Sequence, residues 1–304
     1  MKKTLVLISL LAIFLLALAA CGNSNGNEPA NTATPRPANT ATPTPAPAAT
    51  FDTSRVIAVF TREDGSGTRD AFVSITGVGD DMYVEAVVEN STAGIRTNVM
   101  NNSFAIGYIS VGSMNDTVKA LSVDGVLPSD DTIRSGAYGL QRPFTIVYNV
   151  DNAINELAQD FIAFMLSSQG QEIAATNWTM VDVNAPTYTT RGLTGTLRVG
   201  GSTSVEPLMQ RMKEAYEVLN PGVNIEISSG GSGTGINEAT SGVIDIGMSS
   251  RLLRETEKAA LTDIDIALDG VAVIVNTANP LTNITIDQIK AIFTGEVTRW
   301  NGIN

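Results

Sequence analysis

Residues 224–251 read NIEISSGGSGTGINEATSGVIDIGMSSR. Ile225 and Ile227 alternate with polar neighbours, the period of a half-buried strand. A Gly-Gly-Ser-Gly-Thr turn at 230–234 comes next and leads into a helix near 235–241. IDIGM (244–248) then reads as a second strand, and Ser249-Ser250 precede a further helix near 253–261. Strand, glycine turn, helix and strand in so short a span describe a βαβ step, so the local prediction is an α/β fold.

The same alternation extends in both directions. RVIAVF (55–60), MYVEAVV (82–88), FAIGYIS (104–110), PFTIVYN (143–149) and TLRVGG (196–201) read as strands, and DIALDGVAVIVN (265–276) is strand-rich. Helices are predicted at 66–75, near 93–101 and from about 152 to 166. In the last of these, Ile154, Leu157, Phe161, Phe164 and Met165 share one face. Val205, Leu208, Met209, Met212, Tyr216 and Leu219 form another apolar face, and Asn220-Pro221-Gly222 ends that helix. A last short helix is predicted at 286–294. Mostly parallel sheets follow from this order, and core packing accounts for the Met and aromatic residues on the helices.

Four strand-to-helix turns carry the chemistry: Gly65-Ser66-Gly67-Thr68, Gly200-Gly201-Ser202-Thr203-Ser204, Gly230-Gly231-Ser232-Gly233-Thr234 and Met248-Ser249-Ser250. Glycine lets backbone approach a ligand closely. The first N–H groups of a helix have no partner within it and favour negative charge. Hydroxyls complete a shell suited to a tetrahedral oxyanion. One such turn alone is an ordinary capped helix start; four, with Arg62 beside one of them, point to an anion site. A guanidinium grips two oxygens at once. Glu63 or Asp64 would otherwise hold it in a salt bridge, and Asp64 is expected to brace it from behind.

The residue inventory excludes other chemistry. There is no histidine, and Cys21 is the one cysteine. Disulfides, Cys/His zinc sites and Ser-His or Cys-His catalysis are therefore ruled out. No GxxxxGK[ST] is present, and Asp70 and Ile236 stand where GxGxxG would need its last glycine. Among the 31 Asp and Glu no pair stands out as a glycosidase couple. The net charge of −12 repels nucleic acid and anionic lipid.

The chain begins with Lys2-Lys3 and a largely apolar run, Leu5 to Ala20, ending Leu-Ala-Ala before Cys21. That is a secretory signal over 1–20, and its end resembles a bacterial lipobox, which implies lipid on Cys21. Residues 22–50 hold six of the twelve prolines and no large apolar residue. With Cys21 they form a tether over 21–52, extended at about 3 Å per residue.

At these residues the chain resembles the extracytoplasmic phosphate-binding proteins that feed ABC-type phosphate importers. VGGSTSVEPL is similar to that family's first turn, and GGSGTGINEATSGVIDIGMSSR to its second and third binding loops. TREDGSGTRDAF is similar to the arginine-bearing loop. DGVAVIVNTANP, IFTGEVTRWNGI, AIGYIS, YGLQRPF and FMLSSQGQEI resemble further landmarks, so the likeness spans about 53–304. It implies a two-lobed, type II periplasmic-binding-protein-like fold that closes on inorganic phosphate, with no cofactor, metal or catalysis. Lobe one would be about 138–272, and lobe two about 53–136 plus 274–304, with crossings near 137 and 273. Thr203, Ser204, Ser232 and Ser250 would bind from one lobe, and Arg62, Ser66, Gly67 and Thr68 from the other, with Asp64 behind Arg62. The partner implied is an ABC-type permease, and the protein itself a lipid-anchored monomer outside the cytoplasmic membrane.

Two departures from the family bear on this. Ser250 stands where well-known members have an aspartate that accepts the proton of phosphate, which leaves sulfate or molybdate as alternative ligands. The halves are also exchanged: residues 53–186 match the family's later half and 196–304 its earlier half. Circular permutation is expected, with NAPTYTTRGLTG (184–195) joining the old ends. A gene fragment whose halves pair between chains is the competing account. A surface phosphate sensor and an extracellular hydrolase are the other functional classes.

Overall fold

The computed structural model describes residues 50–150 and 154–303. The expected signal peptide, Cys21 and all of the tether before residue 50 lie outside the described residues. In chain order the elements are β1 (Ala58–Arg62), α1 (Gly67–Thr76), β2 (Val87–Glu89), α2 (Thr92–Asn101), β3 (Ala105–Ser110), β4 (Val118–Ala120), β5 (Ser122–Val123), α3 (Asp130–Arg134) and β6 (Gln141–Asn149). There follow α4 (Glu156–Met165), α5 (Ser168–Ala174), β7 (Gly195–Gly201), α6 (Glu206–Leu219), β8 (Val223–Ser229), α7 (Ser232–Thr240), β9 (Ile246–Ser249), α8 (Glu255–Lys258), β10 (Leu261–Asn276), β11 (Asn283–Ile284) and α9 (Ile286–Phe293).

β1 pairs in parallel with both β2 and β3, and β7 in parallel with both β8 and β9. Between these triplets run β6 and β10, antiparallel to each other and to their outer neighbours. β10 joins the two halves of this nine-stranded sheet: Leu261–Gly270 pairs with β6, and from Val271 onward it pairs with β3 and, over its last three residues, with β4 as well. Its change of partner at Gly270–Val271 falls a few residues before the crossing expected near 273. Separate cores flank this strand. Phe161, Phe164, Met212, Tyr216 and Leu208 lie in one, and Phe72, Tyr108, Val273, Ile289 and Phe293 in the other. Each fully buried side chain of this size contributes about 1.5–3 kcal/mol.

Two local expectations are corrected. The strand expected over 82–88 is reduced to β2, because Tyr83 is drawn onto α9: its N–H donates to the Phe293 carbonyl at 2.7 Å. Val84 is left 90% exposed, with no sheet face to cover it. The helix expected over 253–261 is the single turn α8, because Leu261 is already paired with Asn149 in the sheet.

The first and last described residues run side by side. Ile57 N–H donates to Thr298 at 2.9 Å, Trp300 N–H to Arg55 at 3.2 Å and Asn301 N–H to Thr53 at 2.7 Å. The segment 184–195 is held against lobe one at a buried carboxylate. Asp160 Oδ2 accepts from Tyr188 Oη of that segment at 2.5 Å and from Tyr216 Oη of α6 at 2.7 Å. Burial, then the bond to Asp160, raises both phenols above their usual range. Asp160→Ala should cost about 3 kcal/mol by leaving two hydroxyls unpaired, and Tyr188→Phe about 1 kcal/mol, both read by urea unfolding.

A candidate oxyanion site between the lobes

Every predicted turn follows the carboxyl end of a parallel strand, where open α/β sheets present ligands. β1 delivers Arg62, whose N–H donates to Tyr108 Oη at 3.1 Å; Thr61 Oγ1 lies 2.7 Å from the same oxygen. Tyr108 is stacked on Phe72 at 4.0 Å, and burial pushes its phenol up to about 12, so it stays a neutral anchor. Ser66 caps α1, its Oγ accepting from Arg69 N–H at 3.3 Å. On the facing lobe, Gly231 at φ 96° introduces α7, which places Ser232 at that helix's first turn.

The two walls meet. Thr68 Oγ1 is 2.8 Å from Ser204 Oγ, and Gly233 N–H donates to the Gly65 carbonyl at 2.9 Å. Ser250 N–H donates to Ser232 Oγ at 3.1 Å, and Ser202 Oγ donates to Ser250 Oγ at 2.9 Å. Thr203 Oγ1 lies 3.3 Å from Thr92 Oγ1. Arg62, Ser66, Thr68, Ser204, Ser232 and Ser250 are each at most 1% exposed. The structure therefore gathers Arg62, Ser66, Gly67, Thr68, Ser204, Ser232 and Ser250 into one buried group, with Thr203 half-buried at its edge.

Asp64 is not part of it. The brace on Arg62 is Glu63, with Nε to Oε2 and Nη2 to Oε1 both at 2.8 Å, while the Asp64 side chain is 95% exposed and pairs with Arg69. The cause is a turn. Glu63 N–H still pairs with Glu89 of the neighbouring strand, and Ser66 N–H closes onto the Glu63 carbonyl, which leaves the Asp64 side chain at an outward apex.

Three other residues join the group without having been singled out in the sequence. Thr92 Oγ1 lies 3.0 Å from Ser204 Oγ and accepts from Arg62 Nη1 at 3.3 Å. Its signal was present, since Ser91-Thr92 follow a strand and open α2 as the other turns do. Ser202 links its own loop to Ser250. Arg142 donates to the Ser250 carbonyl at 3.2 Å and is paired through Nη2 with Asp269 at 2.9 Å. Burial pushes the Asp269 carboxyl up and the Arg142 guanidinium down, and their contact opposes both shifts. Asp269 also accepts from Ser110 Oγ at 2.9 Å, which ties the crossing strand to the other lobe. Chemically, the assembly offers hydroxyl and amide donors beside two buried guanidinium groups, those of Arg62 and Arg142.

A family model described as a PBP superfamily domain matches residues 52–169 and 186–302. "Phosphate-binding protein PstS 2" of Streptococcus pneumoniae serotype 4 (strain TIGR4) is 44% identical over 260 residues, 82% of this chain and 88% of that protein. The chain belongs to the PstS family. A crystal structure of a phosphate-binding protein of a phosphate ABC transporter from S. pneumoniae TIGR4 aligns with this PstS-family chain at a TM-score of 0.68 and 43% identity. That alignment covers 82% of this chain and 100% of that one. "Phosphate-binding protein PstS" of Bacillus subtilis (strain 168) is 35% identical over 109 residues, 35% of this chain and 36% of that protein.

The contrast between Glu63 and Asp64 can be tested by stability. Glu63→Ala strands the buried Arg62 guanidinium and should cost about 2 kcal/mol, reduced from the fully buried case because Glu63 is partly exposed. Asp64→Ala should stay within about 0.5 kcal/mol in the same denaturant titration.

Proposed function

We propose that this chain binds inorganic phosphate between its two lobes and delivers it to an ABC-type import permease. It works outside the cytoplasmic membrane, held there by lipid on Cys21. The observation that carries the reading is the buried hydroxyl cluster that meets across two lobes, Thr68 against Ser204 and Ser204 against Thr92, which in turn accepts from Arg62, in a chain so similar to a protein named for phosphate binding. Binding is hinge closure, with β10 the strand that pairs in both lobes and the second crossing just before β6. The role of each residue is donation: Thr203, Ser204, Ser232 and Ser250 from one wall, and Ser66, Gly67, Thr68 and Arg62 from the other. Thr92 belongs with the second set. No bond is made or broken, so the activity is binding and not catalysis.

The exchanged order of halves fits circular permutation within one chain. β10, from the later half, pairs with β3 and β6 of the earlier half in the same chain, and residues 53–57 lie against 298–301. One alignment runs through 260 residues of the S. pneumoniae protein, which therefore shares this order, whereas only 109 residues match the B. subtilis protein. A linear alignment recovers such a part when two chains are cyclically reordered. A monomer in sedimentation supports this reading, and an obligate dimer favours halves paired between chains.

Calorimetric titration with phosphate tests the function. Wild type should bind one phosphate per chain, and Arg62→Ala should weaken binding at least about 100-fold, the loss of a charge-assisted contact in a buried site. A folded wild type that binds none overturns the proposal. Sulfate and molybdate belong in the same series, because Ser250 places a hydroxyl, not a carboxylate, at the third loop. Equal binding of sulfate assigns a broader tetrahedral-oxyanion receptor. Cys21→Ser should release the chain from the membrane fraction if lipid on Cys21 is its anchor.

A further inference from the structure

Closure brings charges together as well as hydroxyls. Asp70 lies on α1 two residues past Thr68, and its Oδ2 meets Arg251 Nε at 2.9 Å and Arg254 Nη2 at 2.8 Å, both from the opposite lobe. Arg251 directly follows Ser250. It is held on its own lobe by Glu257, with Nη1 to Oε2 and Nη2 to Oε1 both at 2.8 Å. The Arg251 side chain is 7% exposed and that of Asp70 23%, whereas Arg254 is 61% exposed. These charges border an inter-lobe groove that is also lined by Ile75, Asp80 and Leu252.

We propose that Asp70 and Arg251 form a latch at the rim of the cleft that sets how long the bound anion stays. Asp70 is a positioning residue: it acts through closure and does not touch the anion. This rests on the functional reading above. Glu257 fixes Arg251 before the lobes meet, so the side-chain ordering that weakens an exposed pair is largely spent in advance. Asp70 arrives only when the first turn of α1 reaches the facing wall, since Thr68 and Asp70 are carried by the same helix. A contact made only in the closed form raises the closed population, and the apparent affinity rises with that population. The latch therefore slows release and leaves first encounter unchanged. Arg254, in water, adds little.

The test measures dissociation of radiolabelled phosphate from the full-length chain in detergent micelles. Asp70→Asn should speed release about tenfold, with association changed less than about twofold. Raising NaCl from about 0.05 to about 1 M should speed release from wild type but not from Asp70→Asn, because salt screens the rim pair. Asp80→Asn removes a charge from the same groove and should behave as wild type. Unchanged release from Asp70→Asn overturns the latch, and so does a salt response that persists in it. A lowered melting temperature with unchanged release assigns Asp70 to folding alone and also overturns it. Wild type that binds no phosphate overturns the functional reading, and small-angle scattering then decides the latch separately. Asp70→Asn should have the larger radius of gyration, and equal radii overturn the latch.

Discussion

A methyl group at position 67 would lie 2.3 Å from Ser232 Oγ and 2.8 Å from Ser250 Oγ, a collision with the opposite lobe. Gly67 opens α1 and Ser232 opens α7, so two helix N-termini from different lobes face each other almost in contact. Only glycine permits that approach, and the buried hydroxyl shell depends on it: Thr68 reaches Ser204 because Gly67 holds nothing out. Both helices turn their N-terminal ends, the positive ends of their dipoles, toward the same small volume. The close approach also brings Asp70 to Arg251, because one helix carries Thr68 and Asp70.

The sheet makes such an approach reversible in principle. Each lobe has its own parallel triplet and its own core; β10 pairs in both, and the chain crosses a second time just before β6, between Leu140 in one core and Phe144 in the other. A hinge needs few crossing segments. Asp269 sits where β10 changes partner, holding Ser110 on one side and, through Arg142, the Ser250 carbonyl on the other. The loop at 249–251 is thus tied to the crossing strand through a buried ion pair, and movement of one constrains the other.

Much of this was legible in the sequence because it was periodic or local. Alternating Ile225 and Ile227, the helical faces of α4 and α6 and the Gly-Ser-Gly-Thr turns each depend on residues a few positions apart. What escaped depends on distant partners. Asp64 and Glu63 are equally acidic neighbours, and only the turn closed by Ser66 N–H decides which one faces Arg62. The helix expected over 253–261 lost its second half to a pairing with Asn149, more than a hundred residues away. Arg142 reads in sequence as a polar residue opening a strand; its partners Asp269 and Ser250 are brought to it by the sheet. Thr92 is the exception, because its strand-then-hydroxyl setting was the pattern already recognised four times.

The charge around the site explains how an acidic chain can still present an anion site. Three arginines are buried among the described residues, Arg62, Arg142 and Arg251, and each meets carboxylate: Glu63, Asp269, and Asp70 with Glu257. An unpaired buried guanidinium would cost several kcal/mol in the absence of ligand. Paired, each is tolerated, and the site carries little net charge of its own. Attraction for an oxyanion must then come from donors at contact range, the remaining Arg62 N–H groups together with oriented hydroxyls, amide N–H groups and helix ends, which act over a few ångströms only. A net charge of −12 supplies no long-range attraction to compete with that. Discrimination is consequently geometric: an anion is held for matching a fixed set of donors at contact, and the lobes must close before most of those donors exist as a set.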